Sequence, residues 1–169
     1  ENAGLFSVGE NTFSGPDIEM FFSRKIGIGP NGEPLPILGG GRLTGTTGGF
    51  KVGALTMQTK TVKNVTDGDN YSVLRIKKEL PNRTSYGAMM TNQTGLGADG
   101  NSNSSYAIDG SLGVGETIQL IGFAAKSDPD PNIKGTTSAY AYLIEANRNT
   151  ETLTTQLRYT EVGENFNPE

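Results

Sequence analysis

The chain has 169 residues, of which 34% are hydrophobic, and its net charge is −4 with neither sign gathered into a block. It contains no His and no Cys, which excludes a Ser-His-Asp triad, a Cys-His nucleophile and any zinc site built on imidazole or thiolate. Because there is no basic patch, nucleic acid is not an expected partner.

Taken in chain order, the sequence predicts nine β-strands, each about ten residues long. No stretch approaches the ~18 consecutive apolar residues of a membrane helix, and the length leaves room for a single domain, residues 1–169. The predicted strands are Asp17–Ile28, Pro36–Thr46, Gly49–Lys60, Asn70–Glu79, Thr84–Gln93, Asn103–Val114, Thr117–Ser127, Thr137–Asn147 and Thr152–Val162.

The predicted connections alternate between long and short. The long ones are GIGPNGEPL, TVKNVTDGD, TGLGADGNS and DPDPNIKGT, and the short ones are TTG, LPNR, GE and TE. A soluble sandwich has no reason to keep this parity, because both of its ends face the same solvent. A membrane barrel places short turns on one side and long loops on the other. The parity therefore favours an all-β, antiparallel up-and-down meander that forms part or all of an outer-membrane-type β-barrel.

Side-chain alternation supports this fold without deciding it. In the strand Asn103–Val114, Tyr106, Ile108 and Leu112 oppose Ala107 and Asp109, which is the dyad pattern of a lipid-exposed strand. A soluble antiparallel sandwich also has amphipathic strands, so it stays open as an alternative. Aromatic residues near strand ends fit the girdles of membrane barrels: Phe50, Tyr71, Tyr86, Tyr106, Tyr140 and Tyr159.

Two sets of polar residues are candidate functional positions. Charged residues on the polar face of the strands can line a lumen and set its charge preference, or they can form paired charges that fill a small closed barrel. They are Arg42, Arg75, Lys77, Asp109 and Arg158. Acidic residues in the long connections can bind a ligand or a cation, or they can be solvated turn residues. They are Asp67, Asp69, Asp128 and Asp130.

Several longer phrases carry a family resemblance: FFSRKIGIG, PILGGGRLTGTTGGFKVGALTMQT, NYSVLRIKKELPNRTSYGAMMTNQ, YAIDGSLGVGETIQLIGFAAK and YTEVGENFNPE. They resemble the barrel portion of a bacterial family of unknown function. Its members typically join an N-terminal family-nine-like carbohydrate-binding module to an outer-membrane-type β-barrel. The resemblance implies that this chain is the middle part of a longer protein. The family has no established activity, so no catalytic residue is carried over.

The sequence therefore predicts a β-barrel protein of the bacterial outer membrane that serves passage or anchoring at the cell surface. Its expected partners are outer-membrane lipid and, in addition, glycan or other membrane-protein subunits. No cofactor is expected, and enzymatic activity is left open. One alternative is a soluble or self-assembling structural β-sheet protein. A second is a surface protein that binds or processes carbohydrate with loop carboxylates.

Overall fold

A computed structural model describes residues 3–8, 18–29, 32–63, 67–96, 102–129 and 139–168. Among these residues there are two 3-10 turns, Ala3–Phe6 and Ser23–Lys25, and eight strands. No helix in the described ranges is long and apolar enough to span a membrane. The strands are β1 Ile37–Thr47, β2 Phe50–Thr59, β3 Asp69–Leu80, β4 Thr84–Gly95, β5 Ser102–Val114, β6 Ile118–Pro129, β7 Ala139–Asn149 and β8 Thr154–Val162.

All eight strands form one antiparallel sheet in which each strand pairs with the next in sequence. The predicted all-β up-and-down meander is therefore confirmed. The sheet is not closed, because the pairings among the described residues do not join β1 to β8. An open sheet of this order is compatible with part of a barrel.

Short and long connections lie at opposite ends of the sheet. Residues 48–49, 81–83, 115–117 and 150–153 form the short connections, and residues 60–68, 96–101 and 130–138 form the long ones. The first short turn consists of Gly48 and Gly49, whose φ angles are 56° and 77°, as a two-residue hairpin turn requires. In the next one Arg83 also has a positive φ, and its guanidinium donates hydrogen bonds to the carbonyls of Gly115 and Ile118.

The first predicted strand, Asp17–Ile28, is wrong, because residues 18–28 form no strand; Asp17 itself lies outside the described residues. Residues 18–29 contain the 3-10 turn Ser23–Lys25, a left-handed Gly27 and a single bridge from Ile28 to Pro34. The apolar residues Ile18, Met20 and Ile26 are buried by packing, and they take no part in the strand-to-strand hydrogen bonding of the sheet. The described strands thus number eight instead of the nine predicted.

The sheet has two faces, and alternate residues of each strand point to one or the other. One face packs against an N-terminal segment, defined as described residues 3–8 and 18–26, and against a C-terminal tail, residues 163–168. We call it the covered face; on β3 it carries Val73, Arg75 and Lys77. The opposite face, which we call the bare face, carries Leu74 and Ile76 on the same strand.

Candidate functional site: the two faces of the sheet

The bare face is apolar over most of its area. Its large apolar residues lie side by side in the register, as in the pairs Leu74 with Met90 and Leu112 with Leu120. A soluble monomer rarely exposes a contiguous apolar patch above a few hundred Å². The large exposed apolar residues of this face are Leu43, Leu74, Ile76, Leu80, Tyr86, Met90, Tyr106, Ile108, Leu112, Val114, Leu120, Tyr140, Tyr142, Ile144, Leu157 and Tyr159.

The apolar area stops before the long connections. A row of polar residues crosses five strands of the bare face, with each residue paired to the next: Thr56, Ser72, Asn92, Ser104 and Asp128. We call it the polar row. Within it the side-chain amide of Asn92 donates a 2.9 Å hydrogen bond to Ser104 Oγ. The apolar zone therefore lies between the polar row and the short turns.

Aromatic rings mark both margins of the apolar zone. Near the short turns, Phe50 and Tyr86 pack edge to face with centroids 6.5 Å apart, and Lys78 Nζ lies 4.6 Å from the centre of the Phe50 ring. Beside the polar row, the register places Lys126 between Tyr106 and Tyr140, both on the bare face.

Tyr71 departs from the predicted girdle, because it lies on the covered face. Its register partner is Gln93, whose side-chain amide donates a 3.2 Å hydrogen bond to the Tyr71 hydroxyl. A position near a strand end does not reveal which face a ring occupies, whereas the parity with Val73 does.

The covered face carries a buried ion pair between Arg75 of β3 and Asp109 of β5. The guanidinium makes two hydrogen bonds to the carboxylate, at 2.6 and 2.8 Å, and the Arg75 side chain is fully buried. The pair reaches across β4 at Gly87, where a Cβ atom would lie 2.8 Å from Arg75 Nη1. The absence of a side chain at Gly87 is thus what lets two non-adjacent strands share this pair.

A second ion pair lies on the covered face near the β8 edge of the sheet. Glu145 of β7 and Arg158 of β8 are register partners, with Arg158 Nη1 3.5 Å from Glu145 Oε2. Glu145 is fully buried, and its other carboxylate oxygen accepts a hydrogen bond from Asn147 Nδ2. Glu145 was not among the sequence candidates, although its parity with Ala141 and Leu143 is the signal that places it on this face.

All five predicted lumen candidates lie on the covered face, but the structure brings only two of them together, Arg75 and Asp109. Lys77 is nearly buried with its amine 3.7 Å from Glu79, which also binds the exposed Lys51 at 2.7 Å. The guanidinium of Arg42 lies 5.2 Å from the centre of the Phe6 ring in the N-terminal segment. This arrangement corresponds to the paired-charge interpretation more closely than to a row of unpartnered charges along a channel.

The described acidic candidates do not form one cluster, and Asp69 and Asp128 lie within β3 and β6 instead of in the long connections. Asp67 lies just before β3, and Asp69 is its first residue. The Asp67 backbone carbonyl accepts a hydrogen bond from Thr61 Oγ1, and the Asp69 backbone N–H donates one to Thr59 Oγ1. Asp128 pairs with Lys126 at 3.1 Å. Asp130 lies outside the described residues. Within the described part of the chain, no three His, Cys, Asp or Glu side chains form a group that can hold a metal ion.

No protein-family model, curated protein or solved structure matches this chain. The resemblance described above therefore stays a prediction, and any function has to be argued from the polarity of the two faces.

Proposed function

We propose that this sheet is the bilayer-crossing wall of an outer-membrane-type β-barrel protein, with the bare face toward lipid and the covered face toward the interior. Its role in the bacterial outer membrane is anchoring or passage at the cell surface. The observation that carries the proposal is the polarity of the two faces: the covered face buries charged pairs, whereas the bare face leaves large apolar side chains exposed.

The free energies involved make water a poor solvent for the bare face. Ile108, Ile144 and Leu157 are each 64–69% exposed. Each such side chain gains about 1.5–3 kcal/mol when it is fully removed from water. Hydrocarbon offers that gain without a protein partner. Conversely, a lipid-facing Arg costs about 2–4 kcal/mol at the bilayer midplane, and Arg75 and Arg158 lie on the opposite face.

The dimensions of the strands fit a bilayer. They contain 9 to 13 residues, and a tilted transmembrane strand needs about 9–11. On this proposal the polar row lies at the outer membrane surface, so that the strands extend beyond the hydrocarbon into the long connections. The short turns then face the periplasm, with Phe50 and Tyr86 at that interface.

The proposal is tested by gel mobility. A folded membrane barrel resists sodium dodecyl sulfate until it is heated, so we expect the chain to require detergent for extraction and to show two bands, one before and one after boiling. A chain that stays soluble without detergent, and that migrates identically with and without boiling, contradicts the proposal.

One observation favours the self-assembling alternative. The outer edges of β1 and β8 have no strand partner in the described residues; β1 is exposed on both faces, and β8 is only partly buried on its covered side. Free edges are templates for pairing with other chains. In that case the protein forms ladders of β-sheet in water, and sedimentation without detergent shows a concentration-dependent series of assemblies.

A further inference from the structure

We propose that the N-terminal segment is a plug that keeps the interior of the barrel closed, so that the native protein anchors at the membrane and does not pass solutes. The inference rests on the proposed function, because it assigns the covered face to a barrel interior. It decides between the two roles left open there.

The 3-10 turn of the plug, Ala3–Phe6, contacts β2. Leu5 and Phe6 occupy the space above Gly53, where a Cβ atom would lie 2.8 Å from Leu5 Cδ2 and 3.0 Å from Phe6 Cζ. The guanidinium of Arg42 covers the Phe6 ring, and Phe21 packs against that ring edge to face at 6.3 Å. A glycine and a cation on adjacent strands thus form a seat for one aromatic residue.

Further apolar residues of the plug are buried on the same face. Val8, Ile18 and Met20 are almost inaccessible to solvent and join the apolar centre of the covered face. That centre draws its residues from β3 to β7: Val73, Met89, Ala107, Ile121, Phe123, Ala125, Ala141 and Leu143. The plug therefore completes the interior packing of the sheet, and it is not a strand of it.

The C-terminal tail closes the interior from the end with the long connections. The N–H of Asn167 donates to Ser127 Oγ at 3.1 Å, and its carbonyl accepts from Asn103 Nδ2 at 3.0 Å. Thr91 Oγ1 donates to the Pro168 carbonyl at 3.3 Å. These bonds use inward-facing polar groups that would otherwise line a water-filled path.

The filled interior indicates how wide the barrel has to be. The interior of a barrel of about eight strands is just wide enough for side chains. Here the covered face also holds main chain from two segments, so a barrel closed around them has to be wider than one of about eight strands, and the plug fills the additional width.

The first test measures whether the plug is seated. The chain contains no cysteine, so a Val8→Cys variant carries a single thiol, and Ser23→Cys provides an exposed reference. We expect a soluble maleimide to label Val8→Cys much more slowly than Ser23→Cys. Adding Gly53→Leu, which fills the seat, is expected to raise the Val8→Cys rate at least about tenfold because the displaced ring loses its burial. The matched control is Gly122→Leu, at a bare-face position with open space around it.

Phe6→Ala is a second way to unseat the plug, and it changes no residue of the sheet. It replaces Gly53→Leu as the test if that variant fails to fold. Equal labelling of Val8→Cys and Ser23→Cys in the native background overturns the plug. So does slow labelling that survives Phe6→Ala.

The second test measures closure. In planar bilayers the native chain is expected to give no channel steps, and Phe6→Ala is expected to give them. Native conductance equal to that of Phe6→Ala overturns the inference, as does a variant that labels rapidly but stays silent. The labelling assay needs no membrane. A chain without a heat-dependent band shift therefore refutes the proposed function, whereas a shifted chain with a freely labelled Val8→Cys refutes only the plug.

Discussion

The covered and bare faces of this sheet belong to the same strands but have opposite chemistry. On the covered face charges occur in pairs such as Arg75 with Asp109, and apolar residues pack against the chain's own segments. On the bare face large apolar residues such as Ile108 and Ile144 stay mostly exposed, and no segment of the described residues packs over them. A soluble antiparallel sheet also has an apolar packed face, but its exposed face is polar. The two faces therefore suit different surroundings, the covered face the chain's own segments and the bare face an apolar medium.

The largest expected effect comes from breaking the buried pair on the covered face. Asp109→Ala leaves Arg75 charged, buried and without its carboxylate, so we expect a loss of about 3–5 kcal/mol in the free energy of unfolding. The measurement is denaturant unfolding in detergent, followed by circular dichroism.

The matched control for that pair is Lys51→Ala. It breaks an ion pair in which both side chains are about half exposed, and such pairs contribute about 0.2–1 kcal/mol. Equal losses of unfolding free energy for the two variants would mean that the Arg75–Asp109 pair is as well solvated as an exposed pair. The covered face would then not be a dry interior, and its contrast with the bare face would fail.

The next effect tests the bare face with a charge. Ile108→Arg puts a guanidinium into the apolar zone and is expected to cost about 2–4 kcal/mol of folding free energy in lipid, whereas Thr56→Arg in the polar row costs about 0–1 kcal/mol. The ratio of folded to unfolded bands after refolding into vesicles gives both values. If the bare face is exposed to water instead, Ile108→Arg will leave the folding free energy unchanged or will improve solubility. That outcome would contradict the lipid-facing assignment.

A smaller effect concerns the glycine beneath the ion pair. At Gly87 a Cβ atom would lie 2.7 Å from the Ile76 carbonyl oxygen and 2.8 Å from Arg75, so Gly87→Ala is expected to cost about 1–3 kcal/mol through overpacking. On the bare face Gly122 has open space around its Cβ position, and Gly122→Ala is expected to stay within about 0.5 kcal/mol of the native chain. Reversed sensitivities in denaturant unfolding would show that the faces have been exchanged.

The sequence predicted what depends on local pattern. Loop parity gave the meander, and the alternation around Tyr106 and Ile108 gave the correct face for β5, because a strand places successive side chains on opposite faces. The boundaries of β2 to β8 followed to within a few residues from the turn signals between them.

What the sequence did not predict depends on contacts between distant residues. The pairing of Arg75 with Asp109 requires the register of three strands and the gap at Gly87. The segment Asp17–Ile28 looked like a strand because its apolar residues are spaced as in one, but packing against the covered face replaced ladder pairing. Glu145 was missed because a single acid in an apolar strand gives no sign of its partner, Arg158.

The smallest expected effect sharpens the comparison at the margin of the bare face. Lys78 is the only residue between Ile76 and Leu80 whose side chain shares their face, and its amine lies over the Phe50 ring. An exposed cation–π contact contributes about 0.5–1 kcal/mol, so Lys78→Ala should lose that amount in the native chain and should lose little when it is added to Phe50→Leu. Lys60→Ala, an exposed lysine in a long connection, is the control and should change nothing measurable. If the amine anchors at a lipid interface as well, the loss from Lys78→Ala will be greater in vesicles than in detergent micelles, and equal losses in the two media would confine its role to the ring.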